Sequence, residues 1–368
     1  MKTRAKSRKP SPPRPGEPPA GEAELPVPAG RNTTINDIAR LAGVSKKTVS
    51  RVINASPMVH ADTRSRVEAV IRRLRFVPDP QARGLAFRRS FLIGLVYDNP
   101  NAQYIVNAQD GALDALRGSD FELVVHPCDR RSADLIPGVR RFVERQKLSG
   151  VILLPPVSEN DALVRELEDC GCAFVRVASA AVDEPARMVA SNDRLAVAEA
   201  ANYLESLGHR TLGFISGPRG HRSALERREG FLAALAKRGL SIPASHIVEG
   251  GYTYESGVAC GDVLLRMTER PTAIFASNDE MAAGVYRAAS NLGLSIPRDL
   301  SVVGFDDGPI AARLLPSLTT IRLPIRDIYR VAMAKLIKSE AGSAVPDVSG
   351  ALVVPHLVVR DSCAPPLR

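Results

Sequence analysis

The apolar residues between positions 34 and 42 recur with the spacing of a short amphipathic helix. The apolar stripe consists of Ile35, Ile38, Ala39 and Ala42. Thr34 precedes this stripe and Asp37 follows three residues later, which is the arrangement of a capping box at a helix N-terminus. Gly43 predicts the end of the helix, because glycine tolerates the left-handed backbone conformation that follows a last helical turn.

A second helix is predicted to begin after Ser45, whose hydroxyl can cap a free backbone N–H group. Because each helical residue advances by about 100°, residues 46–54 divide into two opposite sides. The apolar side comprises Val49, Val52 and Ile53. The polar side has no acidic residue and comprises Lys46, Lys47, Ser50, Arg51 and Asn54. Two short helices with a tight turn and one cationic side are typical of a helix-turn-helix DNA-binding unit.

The polar side of the second helix predicts how this unit contacts a duplex. Lys46, Lys47 and Arg51 are long donors that can reach guanine O6 and N7 in the major groove. Shorter polar residues suit the phosphates, which set the register on DNA without carrying sequence information. The predicted phosphate contacts are Thr34, Thr48, Ser50 and Asn54. An ordinary pair of amphipathic helices would share the charged side, but not the combination of two caps, an Ala-Gly turn and an acid-free face.

From residue 91 onward, short apolar runs alternate with segments of helical periodicity. The runs predict strands at 92–97, 122–126, 151–154, 173–177, 188–191, 211–216, 273–276, 301–305 and 319–322. The segments between them predict helices that include 108–116, 135–146, 196–207, 223–238, 254–267, 279–292 and 325–338. Alternation of strands and helices indicates parallel sheets with right-handed crossovers, and the length suffices for two such sheets.

Positive charge is concentrated in the N-terminal quarter of the chain. Residues 1–90 contain 19 lysines and arginines against 7 acidic residues, whereas residues 91–368 contain 30 against 33. An excess of positive charge on one segment predicts a polyanionic partner and binding that weakens with salt. The nearly neutral remainder argues against a second nucleic-acid surface.

Composition excludes several other classes of protein. Residues 1–31 are basic and proline-rich, with few large apolar side chains, and are predicted to be a disordered tail. The N-terminus lacks the apolar segment of a signal peptide, and no run of 18 apolar residues predicts a transmembrane helix. Five cysteines without a CxxC pair indicate neither a zinc site nor a disulfide framework. No metal or cofactor is therefore predicted, and a cytoplasmic location is expected.

The segment from Thr34 to Asn54 resembles the DNA-binding signature of the LacI/GalR family of bacterial transcriptional regulators. Residues 59–64, Val-His-Ala-Asp-Thr-Arg, resemble the start of the third helix of that family, and the similarity continues almost to the C-terminus. The resemblance implies an all-α helix-turn-helix domain at 32–78, a hinge at 79–90 and a two-lobed α/β domain at 91–368. This last domain is expected to resemble periplasmic binding proteins, with two parallel, doubly wound sheets.

The resemblance also implies how the chain divides between the two lobes. The N-lobe is expected to contain about residues 91–190 and 322–345, and the C-lobe about 191–321 and 346–368. In this family the hinge becomes a short helix only on the operator, where its leucine enters the minor groove. Ala82 and Leu85 are the implied minor-groove residues. Gly84 departs from the better helix formers found there, which we expect to weaken hinge folding by about 1 kcal/mol.

Polar residues follow several predicted strands, at the ends where open α/β sheets bind ligands. By motif position and strand end, the effector-binding candidates are Asn99, Tyr104, Asp193, Arg227, Asn278 and Asp306. Carboxylate, amide and guanidinium groups suit a ligand rich in hydroxyls. Tyr104 is expected to replace the aromatic platform that the family carries in this loop. We expect Asp279 to cap the helix that follows it, and Asn278 to face the pocket.

The resemblance implies a sequence-specific regulator, expected to be a repressor, that binds a palindromic operator as a homodimer. A small molecule between the lobes is expected to control it, and a carbohydrate is the first expectation. A nucleobase or another polar metabolite stays open, because the chain has no tryptophan to stack on a sugar. A nonspecific architectural protein would explain the basic segment but not the ligand-type module. No nucleotide-binding, hydrolase or metalloprotease motif is present, so catalysis is not expected, and the protein should associate with the nucleoid.

Overall fold

A computed structural model describes residues 33–53, 56–76, 90–341 and 355–367, with side chains for all of these except 339–341. The chain divides into two compact units, with the boundary between residues 79 and 80. The predicted tail at 1–31, nearly all of the hinge at 79–90, and the candidates Asn54, Ala82 and Leu85 lie outside the described residues.

The first unit is helical. Its helices are α1 (Ile35–Leu41), α2 (Lys46–Ile53) and α3 (Ala61–Arg73). The Asp37 carboxylate accepts hydrogen bonds from the backbone N–H and the hydroxyl of Thr34, at 2.9 and 2.7 Å. The Ser45 hydroxyl oxygen accepts from the Thr48 N–H at 3.1 Å, and Gly43 has a φ of 62°. The predicted caps and turn therefore form as local sequence directs.

The core of this unit is small and aliphatic. It consists of Ile38, Ala39, Ala42, Val49, Val52, Val67 and Val70. The apolar stripes of α1 and α2 face each other, and α3 packs against both. Each buried valine or isoleucine contributes about 1.5–3 kcal/mol to the stability of the unit. This core therefore holds α2 in place with its polar side turned toward solvent.

The second unit contains two sheets within the described residues. The first sheet contains β1 (Leu92–Tyr97), β2 (Glu122–Pro127), β3 (Gly150–Leu153), β4 (Ala173–Ala178) and β5 (Met188–Ala190). Its order is β2-β1-β3-β4-β5 and all its pairs are parallel. The second sheet contains β6 (Leu212–Ser216), β7 (Ile247–Glu249), β8 (Ala273–Ala276), β9 (Ser301–Asp306), β10 (Thr319–Arg322) and β11 (His356–Val358). Its order is β11-β10-β9-β8-β6-β7, and only β11 is antiparallel to its neighbour.

Helices cover these sheets. They are α4 (Ala102–Leu116), α5 (Leu135–Gln146), α6 (Asp161–Asp169), α7 (Asp193–Ser206), α8 (Arg222–Ala236), α9 (Tyr254–Leu265), α10 (Asp279–Asn291), α11 (Pro309–Arg313) and α12 (Ile325–Ala341). Strands β3 and β8 are buried at every position, which explains why they appear in the sequence as continuous apolar runs.

The chain passes more than once between the two sheets. After β10 in the second sheet, α12 packs on α4, β3 and β4 of the first sheet. The segment His356–Val358 then pairs with β10, with Leu357 opposite Ile321. We call the first sheet with its helices the N-lobe, and the second sheet with its helices the C-lobe.

Some predicted elements differ from the observed ones at the sheet edges and at one helix start. The edge strands β7 and β11 have three residues each and no fully buried position, and neither was predicted. Helix α4 begins at Ala102, six residues before the predicted start, because the Asn101 side chain caps it by accepting from the Tyr104 N–H at 3.1 Å. A polar cap rather than apolar periodicity sets this boundary.

Among the described helices, none is both long enough and apolar enough to cross a bilayer.

Candidate functional site

The cationic side of α2 faces solvent in the first unit. Lys46 and Lys47 are exposed and Arg51 is partly exposed, whereas Val49 and Val52 are buried. The helix has no acidic residue within Lys46–Ile53. The three predicted base-reading side chains therefore lie on one accessible side of a helix that is anchored by its opposite side.

Thr34 and Thr48, two of the residues predicted to contact phosphates, also form hydrogen bonds within this unit. The Thr34 hydroxyl donates to Asp37, and hydrogen bonds from Thr34 lower the pKa of that carboxyl group. The Thr48 and Ser45 hydroxyls are 2.9 Å apart, and Ser50 is partly exposed. A phosphate oxygen only accepts, so a phosphate contact from Thr34 requires its hydroxyl to turn away from Asp37.

All six predicted effector-binding residues line one cavity in the second unit. They are Asn99, Tyr104, Asp193, Arg227, Asn278 and Asp306. The cavity lies at the C-terminal ends of strands from both lobes, as expected for α/β sheets. Its volume is about 80 Å³, which is enough for several water molecules.

A buried ion pair forms one wall of the cavity. Arg227 is 7% exposed and Asp193 is 1% exposed, and Nε of the arginine lies 2.8 Å from Oδ2 of the aspartate. Nη1 of Arg227 donates to the Ser277 carbonyl at 2.5 Å, and Cζ lies 3.5 Å from the centre of the Phe305 ring. Burial lowers the pKa of Arg227, but Asp193 and the neighbouring anions outweigh it and the net shift is upward. Arg227 is therefore a fixed cation in the cavity wall.

Asp306 supplies a carboxylate at the end of β9. Its side chain forms no hydrogen bond with the described residues and lines the cavity beside Arg227. Burial raises its pKa to about 7, while Arg227 opposes the shift and Asp193 adds to it. The backbone at Asp306 has a φ of 113°, a conformation that non-glycine residues rarely adopt. Residues held in this way cluster at binding sites, because surrounding structure must enforce them.

Asn278 lines the cavity as expected, but the expected helix cap at Asp279 is wrong. Asn278, not Asp279, caps α10, since its Oδ1 accepts from the Met281 N–H at 2.9 Å. Its Nδ2 also donates to the Tyr252 carbonyl at 2.9 Å. Asp279 instead accepts from the Thr320 hydroxyl and the Gly308 N–H, at 2.6 and 2.7 Å. The tertiary contacts of Asp279 with β10 and the Asp306–Gly308 turn determine this, and helix periodicity does not register them.

Tyr104 and Asn99 are held from the N-lobe side. The hydroxyls of Tyr104 and Tyr329 are 3.0 Å apart and their rings pack edge to face at 6.0 Å. Burial raises the pKa of Tyr104, so its hydroxyl stays protonated. Asn99 accepts from the Asn101 N–H at 2.8 Å, which shapes the loop after β1. Asn99 reaches the cavity from the loop after β1 and Tyr104 from the first turn of α4, and asparagine contacts set the backbone between them.

Sequence patterns missed several residues of the cavity wall. Asp98, Ser179, His221, Ser223 and Tyr252 also line it. Ser179 follows β4 directly, so the strand-end rule applied to Asp193 and Asp306 would have found it. Its hydroxyl is buried with no hydrogen-bond partner among the described atoms. Tyr252 follows β7, and this strand is too short to be predicted from the sequence. The strand-end rule therefore could not identify Tyr252.

Two glycines make room for groups of the site. A Cβ at Gly217 would lie 2.1 Å from the ring of Tyr252, and a Cβ at Gly304 would lie 2.4 Å from Oδ1 of Asp279. Any side chain at either position would displace these groups, since real Cβ atoms do not approach so closely. Glycine is therefore favoured directly after β6, beside Tyr252, and in β9, beside Asp279.

Comparison with known proteins places both units in context. Residues 34–79 match the family described as bacterial regulatory proteins, lacI family, and residues 201–363 match the periplasmic binding protein-like domain. Catabolite control protein A of Priestia megaterium is 33% identical, over 83% of this chain and 92% of the relative. The ribose operon repressor of Escherichia coli K12 is 30% identical, with coverages of 83% and 92%. The repressor PurR of Edwardsiella ictaluri is 30% identical, with coverages of 90% and 97%.

Solved structures agree in fold. The Lac repressor dimer bound to operator and the anti-inducer ONPF matches with a TM-score of 0.77 and 26% identity. This match covers 91% of the present chain and the whole of the other. A complex of the regulator CelR with cellobiose matches with a TM-score of 0.67 and 28% identity, over 90% of this chain and all of that one.

Proposed function

The chain belongs to the LacI family of bacterial regulatory proteins, and we propose from its cleft the class of molecule that controls it. As a member of this family it is a DNA-binding transcriptional repressor and not an enzyme. It binds operator DNA as a homodimer under the control of a small effector. The related ribose repressor and PurR are named for a sugar operon and for purine, so either class of effector has precedent.

We propose that the effector is a neutral carbohydrate. The observation that carries this proposal is Asp306, a partly buried carboxylate at the cavity without an internal hydrogen-bond donor among the described residues. Neighbouring sugar hydroxyls can donate to its two oxygens, which would compensate the loss of hydration. The buried and unpartnered Ser179 hydroxyl supplies a second polar group for the same ligand.

The charges in the cavity wall narrow the class of effector further. The wall carries one buried cation, Arg227, and three carboxylates, Asp98, Asp193 and Asp306. Arg227 uses two of its five N–H donors on Asp193 and the Ser277 carbonyl, and its charge is already balanced by Asp193. A sugar phosphate or sugar acid would meet uncompensated negative charge, which costs free energy in a site of low dielectric constant.

A nucleobase is the second candidate. The rings of His221 and Tyr252 lie 5.7 Å apart at the cavity and offer aromatic surface for a planar ligand. A purine also donates and accepts hydrogen bonds, but it presents fewer donors to a carboxylate than a polyol does. Direct binding measurements distinguish the two classes.

Thermal unfolding with a matched ligand panel tests the proposal. The panel contains neutral mono- and disaccharides such as D-ribose and cellobiose, the anion ribose 5-phosphate, and the purines guanine and hypoxanthine. A neutral sugar at 100 times its Kd should stabilise the protein by about 2.7 kcal/mol. The same sugar should change operator affinity in a mobility-shift assay. Stabilisation only by a purine or only by the phosphate would overturn the carbohydrate assignment.

A pair of variants ties the response to the cleft. Asp306→Ala should lose the sugar response and keep DNA binding. Asp262→Ala is the control, because Asp262 is partly exposed on α9 and contacts Arg266 on its own helix. If Asp306→Ala responds normally, the pocket assignment is wrong.

For the DNA contacts, we propose that Lys46, Lys47 and Arg51 read bases in the major groove. Contacts to phosphates are assigned to Thr34, Thr48, Ser50 and Asn54, and minor-groove contacts to Ala82 and Leu85. The exposure of the three cations, opposite the buried Val49 and Val52, supports the first assignment.

We also propose the domain boundaries of the protein and its location in the cell. The hinge at 79–90 separates the DNA-binding domain from the two lobes, so limited proteolysis should cut there first. A DNA-binding repressor acts on the chromosome, so we propose a cytoplasmic, nucleoid-associated protein. A fluorescent fusion should overlap the DNA stain, and a triple alanine variant of Lys46, Lys47 and Arg51 should spread through the cell.

A further inference from the structure

A hydrogen bond connects the two lobes beside the cavity. Nη2 of Arg130, in the N-lobe loop after β2, lies 2.8 Å from Nε2 of His221, the residue that precedes α8 in the C-lobe. Asp98, at the end of β1, fixes the arginine. Its Oδ2 accepts from the Arg130 N–H at 3.0 Å and lies 3.9 Å from the guanidinium Nε. Both Asp98 and His221 line the cavity.

A second contact joins the lobes one residue further along. Oε2 of Glu159, in the short helix after β3, accepts from the backbone N–H of Arg222 at 3.2 Å. Its Oε1 is buried with no hydrogen-bond partner among the described residues. The start of α8 is therefore bonded to the N-lobe at two consecutive residues, His221 and Arg222.

The hydrogen bond between Arg130 and His221 determines the protonation state of the imidazole. A guanidinium has only donors, so Nε2 of His221 must accept, and the ring is neutral with its proton on Nδ1. Burial and the Arg130 charge lower the pKa of His221 to about 4, against an opposing effect of Asp98. The His221 ring also packs beside Tyr252, whose hydroxyl is 3.1 Å from that of Ser223. The bond is thus charge-assisted and persists at neutral pH.

We propose that Arg130 and His221, supported by Glu159 on the Arg222 amide, form a clamp that holds the lobes closed over the cavity. The inference rests on the proposed function, in which this cavity is the effector site. The clamp ties the start of α8 to the N-lobe beside the cavity, so breaking it lets the cleft widen for an effector. Arg130 and His221 then act as positioning residues that set how easily the cleft opens.

Interlobe distances in the full-length protein, without effector or DNA, test the clamp. Spin labels on noncanonical residues at Gln146 in the N-lobe and Lys237 in the C-lobe avoid the native cysteines, and both positions are exposed. In Arg130→Met we expect the open-to-closed ratio to rise roughly tenfold, as for the loss of one hydrogen bond to a charged group. His221→Ala should open the cleft similarly, and the double variant should open it no further. Arg130→Lys, which can still donate to Nε2, should restore closure in part.

The neighbouring arginine provides a matched control. Arg131 is in the same loop but contacts Asp129 within its own lobe, so Arg131→Met should leave the distances unchanged. Nitrogen NMR of the histidine side chains is a second measurement, which can still be made on the wild type and the control if one variant folds poorly. His221 should be a neutral Nδ1–H tautomer in the wild type and in Arg131→Met. Distances in Arg130→Met equal to those of the wild type, or an equal opening in Arg131→Met, would overturn the clamp. Because no effector is used, failure of the clamp is distinct from failure of the carbohydrate assignment.

Discussion

The DNA-binding unit and the effector cleft use charge in opposite ways. On α2, Lys46 and Lys47 are exposed and no acidic residue lies on the helix. In the cleft, Arg227 and Asp193 are almost completely buried and bonded to each other. The first arrangement suits a polyanion, and the second suits a neutral ligand, because the buried cation in the cleft is already paired with Asp193.

This difference predicts how each region tolerates mutation. Removing an exposed cation from α2 changes binding and leaves the fold intact, because its charge was solvated. Removing one member of the buried pair leaves an uncompensated charge in the interior, so stability is lost together with binding. The following predictions test this contrast, from the largest expected effect to the smallest.

Arg227→Met should lower the free energy of unfolding of the second unit by about 3–5 kcal/mol, because Asp193 becomes a buried charge without its partner. Urea unfolding measures the effect. Arg228→Met is the matched control, since Arg228 is exposed on the same helix. Equal stability of the two variants would contradict the contrast between buried and exposed charge.

Asp306→Asn should make stability less dependent on pH. The folded pKa of about 7 lies above the usual 3.8, so the folded state holds the extra proton between these values. Stability of the wild type therefore falls as pH rises through this window, with about 1.4 kcal/mol for each pKa unit. Asparagine lacks this titration, so the variant should match the wild type near pH 4 and exceed it above pH 7. Thermal unfolding across this range measures the difference, and parallel curves would rule out a raised pKa.

Arg51→Ala should reduce affinity for a selected palindromic operator by about 1–3 kcal/mol, with little change on random DNA and none in effector binding. Fluorescence anisotropy with both DNAs measures the preference. Arg73→Ala removes one exposed charge from α3 of the same unit and should leave the preference intact. Retained discrimination in Arg51→Ala would count against this residue as a base reader.

Gly43→Ala should destabilise the turn between α1 and α2 by about 1 kcal/mol, because alanine disfavours the φ of 62° found there. Faster hydrogen exchange of the α1 and α2 amides is the measurement. Gly118→Ala replaces another glycine at positive φ, in the second unit, and should leave those amides unchanged. Unaltered exchange in Gly43→Ala would remove the need for glycine at this turn.

The sequence alone determined the helix-turn-helix unit and the alternation of strands and helices. Caps such as Thr34 with Asp37 and Ser45 with Thr48 span three residues, and apolar stripes repeat within a few turns, so both are visible locally. Family resemblance and strand-end positions also identified six residues that line one cavity.

Only the tertiary structure decided what those residues bond to. Asp193 and Arg227 are 34 positions apart, Asp279 and Thr320 are 41 apart, and Arg130 and His221 are 91 apart. Contacts at such separations leave no periodic trace in a sequence, since they depend on which strand ends meet when the sheets assemble. For this reason the bonding of Asp279 to Thr320, and the contact between the lobes, emerge only from the folded chain.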